Sequence, residues 1–193
     1  MPKTPPTAAR TAGHWNPRRL DARALAEAGG TLQGELALTD LDRLSADLHE
    51  PSAVDALPPV VWHARGEMRD GAAGSPAAPW LHLQARAVLP LTCQRCLGPA
   101  DTEVVVDRWF RFVADEAAAE AQDDDCEEDL LALEPRPDLL DVLEDELLMA
   151  LPLVPMHDTC PSDAPAPAPV SEPEQASERP HPFAALAGLK KPK

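Results

Sequence analysis

The chain has 193 residues, with 17 Lys or Arg against 33 Asp or Glu, for a formal charge of −16. Its length fits one domain with tails, because compact domains take roughly 100–200 residues and the 23 prolines imply that part of the chain is unpacked. No apolar run reaches the roughly 18 residues of a membrane span and the first residues lack the apolar stretch of a secretory signal, so the expectation is a cytoplasmic protein.

Residues 1–19 read as a basic flexible leader, with Lys3, Arg10, Arg18 and Arg19 and no acid. A single domain is expected over 20–160. Asp21 to Ala28 predicts a short helix ended by Gly29 and Gly30, and Asp40 to Leu48 predicts a second, with Asp40 as cap and Leu41, Leu44 and Leu48 on one face. Strands are expected around them. Large apolar residues alternate from Leu32 to Leu38 and again at Val60, Trp62, Ala64 and Met68. From Trp80 to Leu91 one face carries Leu81, Leu83, Ala85, Ala87, Leu89 and Leu91, and the other carries His82, Gln84 and Arg86. Residues 71–79 form a turn-rich connector, and Thr102 to Val113 is a fourth strand rich in β-branched and aromatic residues. Asp138 to Leu151 predicts an amphipathic helix with Leu139, Leu140, Leu143, Leu147 and Leu151 on its buried stripe, stopped by Pro152. The class is α+β: an antiparallel sheet with short N-terminal helices and one amphipathic helix packed on it. A Pro/Ala-rich linker at 161–180 reads as disordered and leads to a short C-terminal segment, 181–193, in which Phe183, Leu186 and Leu189 have helical spacing. A helix that short is marginal alone and is expected to dock.

The charge is concentrated. Between Asp115 and Glu146 lie 15 acids and only Arg136 as a base, so 115–136 reads as an acidic loop. Its densest run holds Asp123, Asp124, Asp125, Glu127, Glu128 and Asp129. Such a run is either a solvated, self-repelling loop or a docking surface for a basic partner, and its field disfavours contact with nucleic-acid phosphates.

Four cysteines are too few for a disulfide scaffold. Cys93 and Cys96 form a CxxC between two predicted strands, followed by Leu97, Gly98 and Pro99. A CxxC folded into a turn resembles half of a zinc knuckle, whereas a redox CxxC opens a helix that lowers the first thiol's pKa. His157 and Cys160 have the matching H-x2-C spacing and would complete a Cys2HisCys set for Zn2+. Plain reduced thiols and a redox pair remain open beside that reading, and Cys126 reads as an incidental free thiol. Zinc requires the end of the leucine helix to return over the hairpin across a spacer of 60 residues.

Catalytic signatures are missing. The chain has no P-loop, GxSxG, HExxH or dinucleotide fingerprint, and Asp145 and Glu146 read as a solvated helix face. Without Tyr and with three Phe and four Trp, no aromatic stacking platform is expected. His63, Arg65, Arg69, Trp80, His82 and Arg86 read as either an exposed polar strand face or a small mixed patch. The reading is a non-enzymatic protein without a small-molecule substrate.

Three separated segments carry a resemblance. They are Leu91 to Leu97 with the CxxC, Val142 to Asp158 with Cys160, and Pro182 to Lys190. In this order they resemble the YceD family, the large ribosomal RNA subunit accumulation proteins of bacteria. The resemblance implies a cytoplasmic, non-enzymatic ribosome-biogenesis factor that supports accumulation of 23S (large-subunit) ribosomal RNA. Its partner would be the large-subunit precursor, reached through a basic ribosomal protein or the RNA. The alternative is a stand-alone zinc-binding or thiol-redox protein.

Overall fold

The computed structural model describes residues 15–70, 76–124 and 126–161, the side chain of Ser52 excepted. Contacts divide the chain into Met1–Pro161 and Ser162–Lys193. The second unit, with most of the predicted linker and all of the C-terminal segment, lies outside the described residues, as do residues 1–14 of the leader and 71–75 of the connector.

Among the described residues five strands form one sheet in the order β1-β2-β3-β4-β5. They are β1 (Thr31–Leu36), β2 (Val60–Arg69), β3 (Ala78–Thr92), β4 (Pro99–Asp115) and β5 (Asp129–Glu134). Period-two patterning decides which face is buried. On β3 every apolar residue from Leu81 to Leu91 named above is buried, and on β4 Val104, Val106, Phe110 and Phe112 join the same core. Neighbours in register share a face, as with Leu81 opposite Phe110 and Ala87 opposite Val104. Among the described residues four α-helices accompany the sheet: α1 (Ala22–Ala28), α2 (Asp42–Ala46), α3 (Glu116–Asp123) and α4 (Leu139–Met149). Leu25 of α1, Leu44 of α2 and Leu139, Leu143 and Leu147 of α4 complete the core.

Local chemistry sets the helix ends. Asp21 Oδ1 accepts from the Ala24 N–H at 3.0 Å, and α1 stops where Gly29 takes φ 51°. That helix lies directly on β2. A Cβ at Gly66 would stand 2.8 Å from Leu25 Cγ and 2.9 Å from the Ala26 nitrogen, so only glycine fits beneath it. Asp138 Oδ1 caps α4 through the Leu140 N–H at 2.9 Å.

Several expectations need correction. The first four strands pair antiparallel, but β5 joins β4 in parallel, with Phe112 opposite Leu131 and Val113 opposite Ala132. A parallel neighbour needs a crossover, and α3 supplies it. The segment read as an acidic loop at 115–136 therefore contains a helix and a strand. Its acids hid an Ala-rich helical stretch, 116–122, and the apolar strand core Leu130 to Leu133. Asp40 does not cap α2 either. It ends a 3-10 turn, Leu38–Asp40, and the α2 N-terminus is capped from another element. Glu144 of α4 accepts from the Arg43 and Leu44 N–H groups at 2.8 and 3.1 Å and from Arg43 Nε at 3.0 Å. This explains a buried glutamate on a helix that reads as simply amphipathic. The leader shortens as well, since Trp15 packs against the core and Pro17–Arg19 is a 3-10 turn whose Asn16 side chain accepts from the Arg18 N–H.

Candidate metal centre

The β3 to β4 connection is built around the two cysteines. The Cys93 N–H donates to the Gly98 carbonyl at 2.9 Å and the Leu97 N–H donates to the Cys93 carbonyl at 2.9 Å, closing a tight turn with Leu97 at φ 61°. Both thiols point inward and are buried. Beyond α4 the chain bends over residues 151–154 and returns over this turn, where the Pro155 carbonyl accepts from the Gln94 N–H at 2.9 Å. The return required by the sequence reading thus takes place.

It brings the four predicted ligands together. Cys93 Sγ lies 3.9 Å from Cys160 Sγ, and Cys96 Sγ lies 3.4 Å from His157 Nδ1. All four donor atoms fall within 4.8 Å of one another. A tetrahedron with metal–sulfur bonds of ~2.3 Å and metal–nitrogen bonds of ~2.0 Å has donor–donor edges of about 3.5–3.8 Å. The two close pairs match such edges. The Cys93 to Cys160 separation is far from the ~2.0 Å of a disulfide bond, and all four cysteines are free.

The surroundings prepare the donors. His157 Nε2 donates to the Pro99 carbonyl at 2.8 Å, which keeps the proton on Nε2 and leaves the Nδ1 lone pair facing Cys96. A carbonyl behind the ring is the usual way a ligating histidine is oriented. The Cys96 N–H, with those of His157 and Arg95, stabilises the Cys93 thiolate against the opposing effect of burial and holds its pKa down to about 5. Burial and the neighbouring thiols of Cys96 and Cys93 push Cys160 up. Three sulfurs and one imidazole, two of the sulfurs buried, form a donor set able to hold a metal ion. The sequence supplied these ligands; the Pro99 and Pro155 carbonyls, which orient and clamp the second half, carry no side-chain signal.

The model of the family described as "Large ribosomal RNA subunit accumulation protein YceD" matches residues 81–190, more than half of the chain and both halves of the centre. The chain belongs to the YceD family. A curated relative from Haemophilus influenzae (strain ATCC 51907 / DSM 11121 / KW20 / Rd), itself named large ribosomal RNA subunit accumulation protein YceD, is 37% identical over 106 residues. The match covers 52% of this chain and 59% of the relative, so the chain spans about three fifths of the length of that YceD protein. No solved structure matches.

The acidic run is split between two elements of this YceD chain. Asp123 ends α3, and Asp124 and Glu127 are exposed. Asp125 lies outside the described residues. Glu128 faces Arg111 Nε at 3.7 Å and Asp129 faces Arg108 Nη2 at 2.5 Å, so these two are tied to β4 rather than free. Cys126 is remote from the metal centre in sequence and donates to the Glu128 carbonyl. Glu146, read as solvated, is buried; loss of hydration raises its pKa, with Arg108 opposing and Asp129 and Asp145 adding to the rise.

Part of the polar face, Arg65, Arg69, Trp80 and His82, forms a mixed patch around Trp109, whereas Arg86 pairs with Glu103. His82 stacks on Trp109 with ring centroids 4.1 Å apart, and the Arg69 guanidinium lies 3.7 Å from the Trp109 ring and 4.5 Å from that of Trp80. Asp107 accepts from His82 at 2.6 Å, which lowers its pKa together with the Gln84 amide. Trp109 was absent from the sequence reading of this patch, although its position opposite His82 in the β3/β4 register is the signal that places it there. Among the described residues no helix is long and apolar enough to cross a membrane.

Proposed function

We propose that this chain is a cytoplasmic ribosome-biogenesis factor that supports accumulation of 23S (large-subunit) ribosomal RNA by binding an assembly intermediate rather than by catalysis. The observation that carries this reading is the YceD family match over residues 81–190, reinforced by the relative's printed name. In it the centre is structural. Cys93, Cys96, His157 and Cys160 would hold Zn2+, which supplies four strong bonds joining the β3/β4 turn to the segment after α4. The chain's own part is to keep Cys93 ionised, to aim His157 through Pro99, and to bury two of the thiols away from competing chemistry. Closed sites with four protein ligands leave no position for a substrate, which favours a binding role over a hydrolytic one.

The partner on the precursor is a basic ribosomal protein. Residues 101–161 carry 19 acids and three bases, a field that attracts a cationic protein and repels RNA phosphates. Asp123, Asp124 and Glu127 act in the encounter, and Glu128 and Asp129 hold β5 in place. A deletion strain tests the reading. Its ratio of mature large-subunit to small-subunit ribosomal RNA should fall and recover with the wild-type gene, and an unchanged ratio would overturn the proposal.

A further inference from the structure

The segment that delivers His157 and Cys160 presents an unusual surface. Leu153 is 101% exposed, and Val154 and Met156 are more than half exposed. Leu97, on the facing cysteine turn, is 65% exposed. The Gln94 to Pro155 hydrogen bond ties these two pieces together, so exposed Leu97 sits on the turn that is bonded to the segment carrying exposed Leu153, Val154 and Met156. Met149, the last residue of α4, is also exposed and precedes this segment in the chain. The segment is held by α4 at one end and by the Gln94 to Pro155 and His157 to Pro99 hydrogen bonds at the other. Burial does not explain Leu97. It occupies the left-handed region at φ 61°, where a side chain with a Cβ is strained, and gains no core packing in return.

Charge selects the occupant. Asp141 and Asp145 precede Met149 by eight and four residues, so they share one face of α4 that leads towards this segment, with Asp145 paired to Arg43 and Asp141 exposed. With 19 acids against three bases between 101 and 161, a phosphate backbone would be repelled and a cationic surface attracted. We infer that Leu97, Leu153, Val154 and Met156 are the apolar anchor by which this chain seats in a cleft of a basic protein bordered by Lys and Arg. The metal centre holds the anchor rigid, which reduces the ordering cost of binding. This inference rests on the ribosome-assembly reading above and names the contact surface within it.

The test uses the full chain with two separate probes: the salt-extracted total protein of large ribosomal subunits, and protein-free large-subunit RNA. Wild type should bind the protein fraction in preference to RNA. The double variant Leu153→Ser, Val154→Ser should bind it at least tenfold more weakly, about 1.4 kcal/mol, with unchanged Tm and metal content. Leu97→Gly provides a control for folding. It relieves the positive φ, so it should match or exceed wild-type stability while binding more weakly. Undiminished binding by both variants would overturn the inference, as would preferential binding to RNA. A wild-type dimer that the double variant dissociates would assign the surface to a second copy and overturn it too. The two readings fail separately. Normal ribosomal RNA in the deletion strain removes the assembly role, whereas an RNA defect fully rescued by a double variant that binds like wild type removes only this surface.

Discussion

Removing the metal should loosen a defined part of the molecule by a calculable amount. Cys96 and His157 are 61 positions apart, so a bound ion closes a loop of about 60 residues between the β3/β4 turn and the end of α4. Treated as a cross-link on the unfolded chain, a loop of that length is worth about 4 kcal/mol. For a domain of roughly 150 residues, each kcal/mol moves Tm by about 2–4 °C, so the metal-free protein should melt about 8–16 °C below the metal-loaded form. Two hydrogen bonds, Gln94 to Pro155 and His157 to Pro99, still tie the segment, so the core should remain folded and the loss should be local. The assay is thermal unfolding of reduced protein with one equivalent of zinc and with excess chelator, beside elemental analysis of each sample. Cys160→Ser should behave like the chelated protein and Cys126→Ser like wild type. Equal Tm with and without zinc, together with well under one equivalent bound, would refute the structural-metal argument.

Glu144→Ala should destabilise the domain by about 2–4 kcal/mol, because it removes a buried carboxylate that accepts two α2 N–H groups and Arg43 and leaves those donors unpaired; denaturant unfolding measures it. Glu146→Gln should do the opposite at neutral pH. Burial raises the Glu146 pKa in the fold, so the native state holds its proton to higher pH than the unfolded chain. The stability tied to that proton is present below the unfolded carboxylate range and lost as pH rises through the folded pKa. The variant should therefore have the higher Tm at pH 7 and an advantage that shrinks on acidification; an advantage that grows as pH falls would show the sign to be wrong. The triple variant Asp123→Asn, Asp124→Asn, Glu127→Gln should slow association with the basic protein fraction of large subunits several-fold at low salt and have little effect at 1 M, where the Debye length is about 3 Å. Stopped-flow association across a salt series checks this.

Much of the fold was legible because burial on one sheet face imposes period two, as at Leu81 to Leu91, and because α4 sets its leucines on one stripe. The helix ends at Asp21, Gly29 and Asp138 follow from local chemistry and were equally readable, whereas α4 ends at Met149, before the Pro152 expected to stop it. The fifth strand was not. Only six residues long and bounded by acids, it is defined by its pairing with Phe112 and Val113 and not by a pattern of its own. Glu144 was missed for a related reason: its partners, the first N–H groups of α2, lie about 100 positions away, and no periodicity reports a cap supplied from another helix. At the candidate metal centre the four donor residues were visible as CxxC and H-x2-C. Their convergence depends on the bends around 151–154 and on a backbone hydrogen bond from Gln94, neither of which spacing alone can show. The mixed patch around Trp109 became visible only through the β3/β4 register, which puts His82 opposite it.

The central claim is that this YceD chain acts by binding the large-subunit precursor. It is tested most directly by fractionating a lightly cross-linked lysate of growing cells on a sucrose gradient and following the tagged full-length protein against precursor and mature RNA. The account predicts that the protein sediments with immature large subunits and is depleted from mature ones. Its confinement to the top of the gradient, with precursor particles present and unbound, would contradict it.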